Sequence, residues 1–368
     1  MDFKGRATKL SHSLETSGLD AIVLTTRPNL KYFYNYSGES FERFCCILMS
    51  LQSLKSALIL PKLDEDKAKE SPVSEVLPWT DTEGYSKALD RAMNELKLNS
   101  SEPRIGCEDG ISFWQMEALR SKAKDARFSS ISEKISEQRL HKDDDEIASL
   151  KSIARVLARG YKIGQEGILK NGVSENQAGF EIRKSLLELG AASIDFCAVQ
   201  SGRNGAIPHL ETTRKKIERG DSIVVDISCT NEDGYFADFT RTFAVGKASD
   251  KLKEVYSTVK KAQSSAVEKA APGVSAGEVD EAARSVIDTK GYGEFFFHRT
   301  GHGLGLEVHE MPWIKQGNRM KLQKGMVFTV EPGVYLSGQF GVRIEDDLLI
   351  TESAKENLTK LTHELVEL

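Results

Sequence analysis

The chain has 368 residues, with 50 Lys plus Arg against 55 Asp plus Glu and a net charge of −5. At about 150 residues per domain this length suggests two domains, with ample apolar material for a core that needs no disulfide or structural metal. The near-balanced charge excludes a strongly basic nucleic-acid binder and an acidic disordered tail protein.

The opening Met1-Asp2-Phe3-Lys4-Gly5-Arg6 has no apolar h-region, so no signal peptide is expected. Residues 7–16 read as a helix that stops near Gly18. Ala21–Leu24 reads as a buried strand. Phe44–Leu51 and Ala57–Leu60 read as two more, the second ended by Pro61. These apolar runs are strand-sized and too short to span a membrane. Residues 85–97 show helical spacing at Leu89, Met93 and Leu96, Arg104–Cys107 is a short strand, and 114–126 is helical again. Alternating strands and helices argue an α/β domain. Its expected end is near residue 128, where a Ser-rich polar stretch begins, so domains of 1–128 and 129–368 are predicted. The cysteines, at 45, 46, 107, 197 and 229, are odd in number and form no C-x-x-C pattern, which predicts reduced thiols and a cytoplasmic location.

From Asp143 a helical pattern runs to about Leu169, with Ile147, Leu150, Ile153 and Leu157 on one face. An internal repeat follows. Gly172, Val173, Ser174, Arg183, Gly190 and Phe196 recur at an offset of 101 as Gly273, Val274, Ser275, Arg284, Gly291 and Phe297. Each copy reads as turn, Ser-capped helix, turn and strand. The second domain is therefore expected to be two similar α/β halves with a site between them.

Two hairpins then carry mirrored carboxylates. Ile223–Cys229 and Tyr235–Phe243 flank a turn containing Asp233-Gly234. If Asp226 faces Asp238, the hairpin is centred on Glu232. Val327–Glu331 and Gly341–Ile350 form the second pair, with Glu331 and Glu345 symmetric about Gly338. One acidic pair is most simply a solvated strand face. Asp226 and Glu345, however, sit in apolar strands, and a buried carboxylate is normally paired or bound to metal.

Histidine is scarce, yet His298, His302 and His309 crowd one segment with Gly301, Gly303 and Gly305. The glycines let the backbone pass close to a neighbour. The spacing fits neither a dinucleotide loop nor an H-E-x-x-H zinc helix. Four carboxylates with one His make a mainly hard donor set. Such a set suits two divalent ions that share a bridging hydroxide nucleophile, with Mn²⁺ or Co²⁺ favoured and Zn²⁺ or Fe²⁺ as alternatives. His12, His141 and His363 lie in polar or terminal segments and are expected at the surface.

The segments VVDIS, GYFADFTRT, HRTGHGLGLEVHEMP, FTVEPGVY and GVRIEDDLLIT resemble those of the proline-specific metallopeptidases with the pita-bread fold. These are the Xaa-Pro dipeptidases (prolidases) and Xaa-Pro aminopeptidases, relatives of methionine aminopeptidase and creatinase. SGLDAIVLTTRPNLKYFYNYSGE resembles the N-terminal domain of the proline-specific branch. The resemblance implies an α/β creatinase-like domain followed by a pseudo-twofold catalytic domain. It implies metal ligation by Asp226, Asp238, His302, Glu331 and Glu345, with Glu331 also the acid/base. It assigns His209 and His309 to catalysis and substrate binding, His298 to the proline pocket, and Arg343 to the site's carboxylates and substrate. A homodimer acting on a proline-containing di- or oligopeptide is implied, with no nucleic-acid or membrane partner.

The chain departs from the pattern in two places. The Asp226–Asp238 spacing is one residue longer than the commonest form, placing the extra residue in the 230–234 turn. Trp313 stands where some prolidases carry an Arg after H-E-x-P, which leaves aminopeptidase action open. A methionine aminopeptidase-like hydrolase and a non-catalytic peptide-binding module are the alternatives. The N-terminal domain argues against the first, and the complete ligand set against the second.

Overall fold

The run Ala21-Ile22-Val23-Leu24 is buried at every residue, as an apolar segment with neighbours on both sides must be. It forms β1 in the computed structural model, which describes residues 1–38, 41–98, 102–163 and 167–368. The chain divides into two units, Met1–Gln138 and Arg139–Leu368. In the first, β1 joins β2 (Cys46–Ser50), β3 (Ser56–Pro61), β4 (Glu75–Trp79), β5 (Arg104–Cys107) and β6 (Arg127–Ser130). The sheet order is β4-β3-β2-β1-β5-β6. Helices α1 (Phe3–Ser13), α2 (Arg27–Tyr34), α3 (Ser86–Glu95), α4 (Phe113–Lys122) and α5 (Ser132–Leu140) accompany the sheet, with α5 running into the second unit.

Four of these elements escape the periodicity reading. Pro28 in α2 occupies the first helical turn, where its missing N–H costs nothing. Pro78 in β4 is tolerated because β4 is an edge strand. β6 pairs with β5 through Ser130, past the expected boundary at 128, and α5 starts within the Ser-rich polar stretch that begins there.

The second unit carries α6 (Asp144–Ile163), α7 (Glu175–Glu188), β7 (Ser193–Ser201), β8 (Ser222–Thr230), β9 (Phe236–Ala244), α8 (Asp250–Lys269) and α9 (Ala276–Thr289). It continues with β10 (Gly301–Gly303), β11 (Glu310–Ile314), β12 (Val327–Val330), β13 (Gly333–Leu336), β14 (Phe340–Arg343), β15 (Asp346–Ile350) and β16 (Lys355–Asn357). Sheets form in the orders β7-β8-β9, β11-β10-β12-β15-β16 and β13-β14. The helix expected to reach Leu169 is α6, and residues 164–166 lie outside the described residues.

The repeat is visible residue by residue. Ser174 and Ser275 both cap their helices, accepting from Gln177 N–H and Glu278 N–H. Gly172 and Gly273 share left-handed φ values of 86° and 82°. Arg183 donates to the carbonyls of Ile194 and Cys197, and Arg284 to those of Phe296 and His298. Each arginine ties a helix to the segment that follows it. The two copies therefore deliver corresponding chain segments, and Phe196 and Phe297 line one cavity.

Candidate active site

Asp226 and Asp238 arise from the β8–β9 ladder, but they do not face each other. The register pairs Asp226 with Thr240 and Ser228 with Asp238. The hairpin is centred on Asp233 rather than Glu232, with loop 231–235 closed by Gly234 N–H to the Asn231 carbonyl (3.0 Å) and Tyr235 N–H to its side chain (3.0 Å). The carboxylates are thus diagonal neighbours on one face. The later pair keeps its symmetry. β12–β15 pairs Val330 with Asp346, and β13–β14 pairs Gly333 with Arg343. Glu331 and Glu345 occupy the gap between these ladders, in the register that both share.

Backbone bonds draw these segments together. Glu345 N–H donates to the Thr240 carbonyl (3.0 Å) and Glu331 N–H to that of Thr300 (2.8 Å). His302 comes from β10, where the glycines have a steric reason. A Cβ at Gly301 would lie 1.8 Å from the Thr329 carbonyl oxygen, and one at Gly303 would lie 2.0 Å from that of Met311.

Asp238, His302 and Glu345 are buried, and ligand atoms of the three lie within 4.8 Å of one another. His302 Nε2 is 3.1 Å from Glu331 and 3.9 Å from Asp238. Asp226 instead meets Arg343 at 2.5 Å. Thr240 Oγ1 lies 2.6 Å from Glu345 and 3.1 Å from Asp226. Burial, followed by the charges of Asp226 and Asp347, pushes the Asp238 carboxyl well up. Burial and Asp238 do the same to Glu345. Glu331 goes the other way: burial raises it, but the hydrogen bond and charge of His302 outweigh that and hold it below its usual range. Carboxyls forced toward neutrality by burial and by each other are what a multivalent cation would reverse, so the donor set fits divalent ions.

A cavity of about 940 Å³ opens over these groups, and every predicted site residue lines it: Asp226, Asp238, His302, Glu331 and Glu345 with His209, His298, His309 and Arg343. His298 spends both ring nitrogens, on the Arg299 carbonyl (2.7 Å) and Tyr335 Oη (2.9 Å). Tyr335 in turn accepts from Arg343 (3.0 Å). His309 stands edge-to-face with His302, ring centroids 4.2 Å apart. Burial, then the charges of His302 and Arg299, lower its pKa to about 4. Trp313 lies beneath the Arg299 guanidinium at 4.4 Å.

The sequence reading missed Thr240 and Tyr335. Thr240 was findable, because it stands two residues from Asp238 and so shares its strand face. It also misplaced His363, which is no free surface residue: its Nε2 is 2.6 Å from buried Asp346, which also binds Arg241 (2.6 Å). The five cysteines are unpaired and buried. Among the described residues no helix is long and apolar enough to cross a membrane.

Comparison with known proteins gives a consistent pattern. Residues 148–352 match the model of metallopeptidase family M24, and 6–141 match the creatinase/prolidase N-terminal domain. A Xaa-Pro dipeptidase of Pyrococcus horikoshii is 33% identical over 98% of this chain and 98% of its own. One from Lactobacillus helveticus is 34% identical over 97% of each. The crystal structure of a recombinant prolidase from Thermococcus sibiricus superposes with a TM-score of 0.94, at 35% identity over 100% of both chains.

Proposed function

This chain belongs to metallopeptidase family M24 and is a hydrolase with the mixed α/β, pita-bread architecture, and we propose that it is a Xaa-Pro dipeptidase using two divalent ions. The observation that carries the reading is the convergence of Asp226, Asp238, His302, Glu331 and Glu345 in one cavity with His209 and His309. In this reading the five hold the ions, Mn²⁺ or Co²⁺ by preference. Bound there, the ions would activate water and polarise the scissile carbonyl.

The remaining chemistry belongs to side chains. Glu331 is held ionised by His302, so its carboxylate is ready to accept a proton from the attacking water and pass it to the leaving proline nitrogen. His309 is neutral near pH 7, which leaves an N–H to donate to the substrate carbonyl without competing as a cation for the carboxylates. His209 reaches over the exposed side of the cavity to steady the tetrahedral intermediate. His298, Phe297 and Tyr335 shape a wall suited to a pyrrolidine ring. Arg343 fixes Asp226 and Tyr335. A homodimer in the cytoplasm goes with this reading.

The test is hydrolysis of Ala-Pro and Met-Pro against Ala-Pro-Ala and Met-Pro-Ala, with added Mn²⁺ or Co²⁺. Dipeptide turnover that exceeds tripeptide turnover is expected. Preference for the tripeptides would make the enzyme an aminopeptidase, and no turnover of either by metal-loaded protein would overturn the proposal.

A further inference from the structure

We propose that Glu175 and Gln200 are positioning residues that hold the His209 loop over the cavity. What His209 does there rests on the peptidase reading; how its loop is held does not. His209 is exposed on the segment between β7 and β8, where the only helical turn is the short Gly202–Ala206. Such a segment has little of its own to fix it.

Two fully buried polar side chains supply what is missing. Glu175, the first residue of α7, is 0% exposed. Its carboxylate accepts from Ser201 N–H (2.7 Å) and Oγ (2.8 Å), from Asn204 Nδ2 (3.0 Å), and from Thr213 N–H (3.1 Å) and Oγ1 (2.5 Å). Both ends of the loop are thereby tied to one carboxylate at a helix N-terminus, which favours negative charge. Gln200, near the end of β7, is also 0% exposed. Its Nε2 lies 3.1, 3.2 and 2.6 Å from the carbonyls of Ile207, Pro208 and Leu210, on both sides of His209. A reversed amide would set an acceptor among three carbonyls. Its Oε1 is buried with no hydrogen-bond partner among the described residues. That is a cost to stability, so the amide is there for what its NH₂ holds.

The internal repeat sharpens the point. The position matching Glu175 in the second copy is Ala276. There Asp280 does a different job, accepting from Thr300 N–H (3.1 Å) and Oγ1 (2.8 Å). A carboxylate at the first helical position is present only in the first copy, the one followed by the His209 loop. The loop also presses on β14, since a Cβ at Gly341 would lie 1.8 Å from the Gly205 carbonyl oxygen. Loosening either anchor frees His209 to drift, and a displacement of about 1 Å in such a group can cost about 100-fold in rate.

Gln200→Met and Glu175→Gln test this, the second keeping the shape of the side chain should the first fold poorly. Each should raise amide hydrogen exchange in 202–212 and leave 222–244 unchanged. Each should lower kcat/KM for Ala-Pro by about 10- to 100-fold, yet cost under about twofold when added to His209→Ala, because partners acting through one group are not additive. Unchanged exchange in the loop, or a full loss added on top of His209→Ala, overturns the proposal. Should the wild type hydrolyse no Xaa-Pro peptide, exchange still reads the anchors and only the functional reading fails.

Discussion

Asp238, 7% exposed, has a carboxyl that burial and its neighbours push upward. Replacing it with Asn removes charge without removing bulk. Metal-free Asp238→Asn should be inactive with added Mn²⁺, yet more stable than metal-free wild type by on the order of 1–3 kcal/mol in urea unfolding. Lower stability would mean the cluster is not repulsive. The same carboxyls set a pH slope. Asp238 and Glu345 have folded pKa values above their unfolded ones, so the folded state holds extra protons. Metal-free stability is then highest below about pH 4 on their account, and falls as pH rises through the raised values. Asp346 and Glu331 are depressed and run oppositely, but their contributions are complete above about pH 5. Metal-free Tm should therefore decline from pH 5 to 8, and Mn²⁺ should flatten the decline; scanning calorimetry decides. His309, at about 4, stays neutral across that range. The pH–rate profile of the wild type should show no inflection that His309→Gln removes between pH 5 and 8.

At the scale of elements, Gly301 and Gly303 are backbone spacers for β10. Gly301→Ala puts a methyl 1.8 Å from the Thr329 oxygen. It should cost about 1–3 kcal/mol by overpacking, seen in the denaturation midpoint, and should lower metal affinity because His302 moves with the strand. Much of the site was legible here. The Gly pattern, the repeat and the four carboxylates are local facts of the chain. The register of β8 on β9 was not, because loop 231–235 is closed by the Asn231 side chain and shifts the pairing by one position on each strand. Thr240 and Tyr335 were missed because hydroxyl groups gain their roles only when distant strands meet. Glu175 and Gln200 were invisible for a related reason: their partners are mostly backbone groups on a loop without periodicity.

For the whole molecule, ions held only by the folded state must add to its stability. At free Mn²⁺ about 100-fold above its Kd, the gain should be about 2.7 kcal/mol. A chelator should reverse it, and a Tm that ignores both chelator and metal would count against the five-residue site. The creatinase-like N-terminal part was recognisable from its motif, whereas the extent of its sheet to Ser130 depended on pairing with β5.

The contact between His363 and Asp346 has a consequence in time. The ribosome delivers Asp226 first and His363 137 residues later, a delay of roughly 7–27 s at ordinary elongation rates. Throughout that interval the nascent carboxylates lack the tail that secures the residue beside Glu345. Residues 360–368 also close onto β9, through Ala244 N–H to Val366 (3.0 Å) and Leu368 N–H to Ala244 (2.8 Å). The strand that carries Asp238 and the segment that carries Glu345 therefore gain these hydrogen-bonded neighbours only once residues 363–368 have been made.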